Sequence, residues 1–368
     1  MKFSVARDAL LKPLNLAAGV VERRQTLPIL ANVLLELEGK SLSITGTDLE
    51  VELVARLELA EPACSDGRLT VPARKLVDIC KSLPEGSELQ FSGEEDRLVI
   101  RSGRSRFALS TLSASDFPTV EDSKDGQPLT VKQGDLRRLI DRTSFAMAQQ
   151  DVRYYLNGML WEVGPQMLRL VATDGHRLAL CTLEGSFPVE AARQVILPRK
   201  GVVELSRLLT QEDGDVELII GSHHLRANTG PFTFVSKLVD GKFPDYERVL
   251  PKASTKTLFG VREDLRHAFG RTAILSNEKY RGIRLVLTDD SLQIVATNPE
   301  QEEAEETVAV EYQGERLEIG FNVSYLLDVL NVLSDTRVKF SLSDANSSAL
   351  IEEAETGDSV YVVMPMRL

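Results

Sequence analysis

Three observations predict an α+β fold built from three repeated units. Apolar residues recur at helical spacing three times, paired alternating strands follow each recurrence, and landmark residues sit at a nearly constant offset. The helical spacing lies in residues 6–24, 132–150 and 261–279. Its apolar positions are Leu10, Leu11 and Leu14, then Leu136, Leu139 and Ile140, then Leu265, Ala268 and Phe269. Asp8, Asp135 and Asp264 stand near the starts, where a carboxylate complements the helix dipole. Strand pairs follow at 33–37 with 42–44, 158–162 with 168–171, and 283–287 with 292–295. The second strand of each pair runs into Thr47 and Asp48, Thr173 and Asp174, or Thr297 and Asn298, offsets of 126 and then 124 residues. A second helix is expected at the same offsets, over 72–79, 198–205 and 322–329. Pro72 and Pro198 suit its first turn, where a missing N–H costs little. The segments at 110–112 and 117–118 recur at 236–238 and 243–244, so the repetition extends beyond the helices.

Each unit of roughly 123 residues therefore holds two helices and several alternating strands. Two helices cannot cover both faces of so many strands, so they lie on one side of antiparallel sheet. Polar stretches at 122–127 and 252–256 separate the units, giving domains at 1–126, 127–254 and 255–368. Units placed in line can join sheet to sheet, and closing the array would remove the exposed strand edges.

Composition excludes several classes. At 368 residues, 43% apolar and 27% charged, the chain can bury a large core in two or three domains. The N-terminus lacks the apolar core of a signal peptide, and no apolar run approaches the roughly 20 residues that span a bilayer. A cytoplasmic protein with no membrane association is expected. Cys64, Cys80 and Cys181 form no CxxC pair and are read as reduced thiols. His176, His223, His224 and His267 lack metal-ligand spacing, and no phosphate-binding loop, dinucleotide fingerprint or nucleophile elbow is present. No metal, cofactor or catalytic residue is assigned. Asp174 and His176 place an acid beside a base, but without a nucleophile the stretch reads as a turn with a binding role open. Hydrolysis by that pair remains the enzyme alternative.

The formal charge is −12, which argues against a nucleic-acid partner until it is partitioned. The six helical segments sum to +9 and the rest of the chain to −21. Helix surfaces are often basic, but a gap this wide also suits a basic layer that attracts a polyanion and an acidic outside. Arg101, Arg104 and Arg106 in the first repeat oppose in sign Glu300, Glu302, Glu303, Glu305 and Glu306 in the third. These runs fit solvated faces and a head-to-tail contact between two copies equally well.

Seven stretches, in order over essentially the whole chain, resemble the bacterial sliding clamps, the beta subunits of DNA polymerase III. They are 26–30 (TLPIL), 71–75 (VPARK), 103–107 (GRSRF), 151–158 (DVRYYLNG), 172–178 (ATDGHRL), 240–246 (DGKFPDY) and 361–368 (YVVMPMRL). The resemblance implies three DNA-clamp domains, with helices lining a ring interior and antiparallel sheets outside. It implies a homodimer that encircles double-stranded DNA without sequence preference and tethers the polymerase for processive replication. An ATP-driven clamp loader would open it, so the chain itself is no enzyme. DNA contacts would map to Arg24, Arg74, Gln150, Tyr154 and Tyr155, with Arg199 and Lys200 by position. Read alone, the two tyrosines could equally be core or turn aromatics, and packing is the favoured reading. The second helix of the third repeat lacks Lys and Arg, so a basic lining is not expected throughout.

The same resemblance implies a cleft for short peptide motifs of DNA polymerases, the loader and repair proteins. Its positions would be Leu156, Thr173, Gly175, His176, Arg177, Leu178, Pro244, Arg248, Val249, Val362, Met364, Pro365 and Met366. Apolar walls with a few polar groups, and methionines that repack, suit that use. Phe107 and Leu109 would meet Ile274 and Leu275 at the dimer contact, with Glu302 and Glu305 beside them. The alternative is a repeat-built protein-interaction scaffold that never encircles DNA.

Overall fold

The computed structural model describes residues 1–22, 27–120, 126–252 and 254–367. Six α-helices are present among the described residues: α1 Arg7–Val20, α2 Ala73–Ser82, α3 Gln133–Thr143, α4 Arg199–Leu208, α5 Arg262–Thr272 and α6 Val323–Val332. Each begins at the residue after a strand ends, those strands being Lys2–Ala6, Gly67–Pro72, Pro128–Lys132, Arg193–Pro198, Lys256–Val261 and Leu317–Asn322. The first helix of each repeat is shorter than its apolar spacing predicts. α3 and α5 give way to 3-10 turns at Ser144–Ala146 and Ala273–Leu275. At each change a threonine hydroxyl donates back one turn, Thr143 to the Leu139 carbonyl and Thr272 to that of Ala268, both at 2.7 Å. Such back-bonding weakens the regular helical ladder. No helix among the described residues is long and apolar enough to cross a membrane.

The chain divides into two compact units, Met1–Arg137 with Lys200–Val239, and Arg138–Arg199 with Asp240–Leu368. In the first, a four-stranded sheet runs Lys2–Ala6, Glu88–Glu94, Arg97–Ser102, Ser105–Ser110. Its second sheet has eight strands, with Gly67–Pro72 and Pro128–Lys132 at the edges. The other unit holds a nine-stranded sheet and a four-stranded one ordered Glu303–Ala309, Ser291–Thr297, Gly282–Thr288, Leu317–Asn322. The three predicted hairpins form in equivalent registers, with Leu35 opposite Ile44, Leu160 opposite Val171 and Leu285 opposite Ile294.

Each of the two large sheets is continuous across a repeat boundary. Val51–Glu58 of the first repeat pairs with Phe232–Lys237 of the second, and Arg177–Glu184 of the second with Ser359–Val363 of the third. α1 buries its apolar stripe against the eight-stranded sheet, whereas α5 packs chiefly on the four-stranded sheet of its own unit. In α1 that stripe is Leu10, Leu14, Ala17 and Val20, all at most 1% exposed. Gly46 is where α1 comes closest, since a Cβ there would lie 2.0 Å from the Ala17 carbonyl oxygen. Burial pushes the Cys80 thiol up to about 11, consistent with a packed, unreactive cysteine.

Arg142 of α3, counted by the charge partition as a helix-layer cation, is instead buried. Its guanidinium donates to Glu353 at 2.7 and 3.2 Å, to Asp358 and Ser359 at 2.8 Å, and to Ser334 at 2.7 Å. The Glu353 side chain is fully enclosed. Burial opposes its charge, but hydrogen bonds from Thr356, Ser334 and Arg142 outweigh that and hold its pKa down to about 2. The network ties the second repeat to the third.

Replacing Glu353 by Gln leaves the buried guanidinium short of a charge, and we expect a loss of about 3 kcal/mol at pH 7. A carboxyl whose folded pKa is depressed contributes stability above its unfolded value near 4.5, lost as pH falls toward 2. The deficit of Glu353→Gln in urea unfolding should therefore shrink between pH 7 and pH 3. Equal deficits at both values would refute the linkage.

Candidate functional site

A cleft is built on the turn that ends strand Met167–Thr173. Thr173 Oγ1 donates to the Arg177 carbonyl at 2.6 Å and accepts from Gly175 N–H at 3.1 Å. One Asp174 carboxylate oxygen accepts from the N–H groups of His176 and Arg177, at 2.9 and 3.1 Å. Gly175 has φ +89, a left-handed conformation that a side chain resists. Strand Ser359–Val363 then places Met364 against the turn, its N–H donating to the His176 carbonyl at 2.9 Å.

The resulting cavity of about 160 Å³ is bordered by ten of the sequence-predicted residues. They are Leu156, Thr173, Gly175, His176, Arg177, Leu178, Pro244, Val249, Val362 and Met364. Sequence reasoning missed an eleventh, Arg153. Its signal was Asp151 two residues earlier, which accepts from the Arg153 backbone at 2.8 Å and from its guanidinium at 3.0 and 2.9 Å. The Arg153 guanidinium holds the Asp151 carboxyl down to about 2. A Cβ on Gly175 would lie 3.0 Å from Arg153 Nη2, so the glycine also leaves room for that side chain.

Three predicted cleft residues lie elsewhere. Arg248 extends into solvent and pairs with Asp245 at 2.7 Å. Pro365 and Met366 border a separate depression of about 530 Å³ with Glu318, Gly320 and Asn346. The reason is a backbone bond at 2.8 Å from Met366 N–H to the Gly320 carbonyl, which draws the tail away after Met364. A still larger depression of about 840 Å³ has more charged walls, with Arg138 pairing with Asp358 and Arg169 donating to the Tyr246 hydroxyl. The small apolar cleft is the better fit to a peptide side chain.

The catalytic alternative loses support from the same bonds. The Asp174 carboxylate serves the turn and the Arg177 guanidinium, and among the described residues no hydrogen bond joins it to the His176 ring. That ring lies instead 6.4 Å from the ring of Tyr325.

The predicted DNA-contact residues differ in how free their charges are. Arg24 lies outside the described residues. Arg74 and Lys75 are exposed on α2 and make no ion pair among the described residues. Gln150, at φ +57, opens a loop on which Tyr154 is 57% exposed and packs edge-on against Tyr155. Arg199 donates to the Met147 carbonyl at 3.2 Å. Lys200 pairs with Glu22 at 3.0 Å and with Asp48, whose side chain is buried. Arg207, Arg266 and Arg271 are also matched, by Glu204, Glu263 and Glu306. The helix layer thus presents less free positive charge than its formal count.

Of the predicted dimer contacts, Phe107 is half-buried and Leu109 buried in Ser105–Ser110, an edge strand. Ile274 is 75% exposed and Leu275 half-buried in the turn after α5. Glu305 lies on the edge strand Glu303–Ala309 and accepts from Gln293 at 2.7 Å, while Glu302 accepts from Asn298 at 2.6 Å.

Three strand–helix repeats, joined through shared antiparallel sheets and carrying a small apolar cleft, define a DNA-clamp fold. Comparison with known proteins gives the family. The N-terminal, central and C-terminal domains of the DNA polymerase III beta subunit match residues 1–121, 130–245 and 247–367, and the chain belongs to that family. The beta sliding clamps of Pseudomonas aeruginosa and Escherichia coli K12 are 65% and 54% identical, each over the full length of both chains. A crystal structure of the P. aeruginosa sliding clamp bound to griselimycin superimposes with TM-score 0.97 at 65% identity, covering both chains completely.

The pairing of Lys200 predicts a stability role distinct from that of Arg74. Lys200→Met deprives the buried Asp48 carboxylate of its Lys200 cation and should cost about 1–3 kcal/mol in denaturant unfolding. Arg74→Ala, at an exposed unpaired position, should change stability by less than about 0.5 kcal/mol. A Lys200→Met protein as stable as the parent would remove the ion pair from the account.

Proposed function

We propose that the chain is a sliding clamp for DNA replication, acting in the cytoplasm as a head-to-tail homodimer closed around duplex DNA. Each copy contributes three domains, at 1–126, 127–254 and 255–368, with helices toward the DNA and sheets outward. The observation that carries this reading, beside family membership, is a pair of open strand edges of opposite charge. Ser105–Ser110 lies next to Arg101 and Arg104, whereas Glu303–Ala309 bears four carboxylates counting Glu302. Joining the edge of one copy to that of the next completes both ladders and pairs the charges, and two such joints close a ring. Ile274, Leu275 and Phe107 supply apolar contact beside the joint.

Inside the ring, Arg74, Gln150, Tyr154 and Tyr155, with Arg24 and Arg199, meet the phosphate backbone. Such contacts carry no sequence information, so they permit movement along the duplex. Each neutralised phosphate adds roughly 0.9 to the log–log salt slope, so a few contacts give affinity without fixing position. Lys200 contributes less, because two carboxylates already hold it. Retention is topological. The cleft tethers DNA polymerases, the loader and repair proteins through short apolar motifs, raising their effective concentration at the template. No covalent step is required of the chain.

Loading onto closed circular DNA, followed by gel filtration, tests this reading. Retention on the circle that disappears on linearisation is expected; equal retention on both forms would favour the protein-interaction scaffold. Leu275→Asp should give monomers by sedimentation and abolish retention on the circle. An unchanged dimer would refute the assigned contact.

A further inference from the structure

The turn that walls the cleft has a counterpart 126 residues earlier, and the two are bonded alike. Thr47 Oγ1 donates to the Val51 carbonyl at 3.0 Å and accepts from Leu49 N–H at 3.1 Å, as Thr173 does with Arg177 and Gly175. Asp48 accepts from the N–H groups of Glu50 and Val51 at 3.0 and 2.7 Å, as Asp174 does from His176 and Arg177. The third residue is left-handed in both, Leu49 at φ +78 and Gly175 at +89. A strand N–H from the next repeat reaches each turn, Lys237 to the Glu50 carbonyl at 2.8 Å and Met364 to that of His176 at 2.9 Å.

What differs is the cation that fastens each turn to the second helix of the next repeat. In the first junction Lys200 of α4 reaches back to Asp48. The corresponding position of α6 is Ser324, which carries no charge. There the turn supplies the cation itself. Arg177 donates from Nε to Asp174 at 3.2 Å and from Nη2 to the Phe145 carbonyl at 2.9 Å, and Nη1 pairs with Asp328 of α6. Its guanidinium carbon stands 4.5 Å from the Tyr325 ring centroid and 5.2 Å from that of Phe145. Only 12% of the Arg177 side chain is exposed.

With Nε, Nη1 and Nη2 each engaged and aromatic rings against it, Arg177 is a wall of the cleft rather than a hand reaching into it. We infer that Asp328 is a positioning residue of the cleft, holding the Arg177 guanidinium against Tyr325 and out of the cavity that an apolar partner segment fills. The inference rests on the reading of the cleft as a peptide site, and it extends that site to a face of α6 that does not border the cavity. Without the Asp328 carboxylate, Arg177 keeps only Asp174 as an ionic partner among the described residues. Its long side chain can then enter a cavity of about 160 Å³, where it would displace the ligand and loosen the turn.

Griselimycin, the molecule held by the P. aeruginosa relative, serves as the probe, with binding to the full chain measured by titration calorimetry. Asp328→Asn, which preserves shape, and Asp328→Ala should each weaken binding about five- to tenfold, the scale of one lost hydrogen bond. Asp328→Glu restores the carboxylate and should bind within about twofold of the parent, a recovery that general destabilisation would not produce. Combining Arg177→Lys with Asp328→Asn should weaken binding less than the two single losses multiplied, because both remove one interaction. Binding within about twofold of the parent in both Asp328→Asn and Asp328→Ala would overturn the inference, as would fully multiplicative losses. Met364→Asp, at the exposed cleft rim, is the control for the site. Griselimycin binding that this variant leaves unchanged would overturn the cleft reading rather than the role of Asp328.

Discussion

The hydrogen-bonded joint between the third hairpin strand of one repeat and the last strand of the next is the constraint on which the rest depends. It appears twice, as Leu53 opposite Phe234 and as Ala179 opposite Tyr361. Each joint extends a sheet past a repeat boundary, buries what would otherwise be two raw edges, and fixes the register between neighbouring repeats to one residue. The cleft follows from it. Val362 and Met364 reach the turn only because their strand is already paired with Arg177–Glu184. The buried Arg142 and Glu353 pair reinforces the same junction from the helix side.

Both junctions carry the same turn, yet the cleft described above belongs to the second. At the first, Glu52 stands where the second has Leu178, and its buried carboxylate accepts from the Val120 N–H at 2.9 Å. Leu49 stands where Gly175 does, putting a side chain at the position that the glycine leaves open beside the Arg153 guanidinium. The third copy of the turn has Asn298 in place of the aspartate, and its amide donates to Glu302 within its own loop. One scaffold has thus been given three different ends by changes at a few positions.

Much of this was legible in the sequence because it depends on local periodicity. The hairpins, the six helices and the turn residues each follow from spacing within a few residues, and the constant offset multiplies every such signal by three. The cross-repeat joints were foreseen only as a possibility, since nothing local specifies which strand edge meets which. Helix ends were misjudged where a threonine side chain competes with the backbone, as at Thr143 and Thr272. The charge partition erred for a related reason. Arg142, Lys200 and Arg271 look like unpaired cations in sequence, and only the fold brings Glu353, Asp48 and Glu306 to them. Arg153 was overlooked beside two tyrosines, and Pro365 and Met366 were placed in the cleft because a tail's path depends on one remote backbone bond.

The two compact units divide the chain at Arg137 and Lys200, through the middle of the second repeat. The sequence counts in threes, whereas cohesion counts in shared sheets, and the two periods are out of phase. A history of tandem duplication would therefore have produced modules that are not autonomous: an excised repeat carries an orphaned strand at one or both ends. Recombination at repeat boundaries would sever a ladder, so the heritable unit and the mechanical unit of this protein differ.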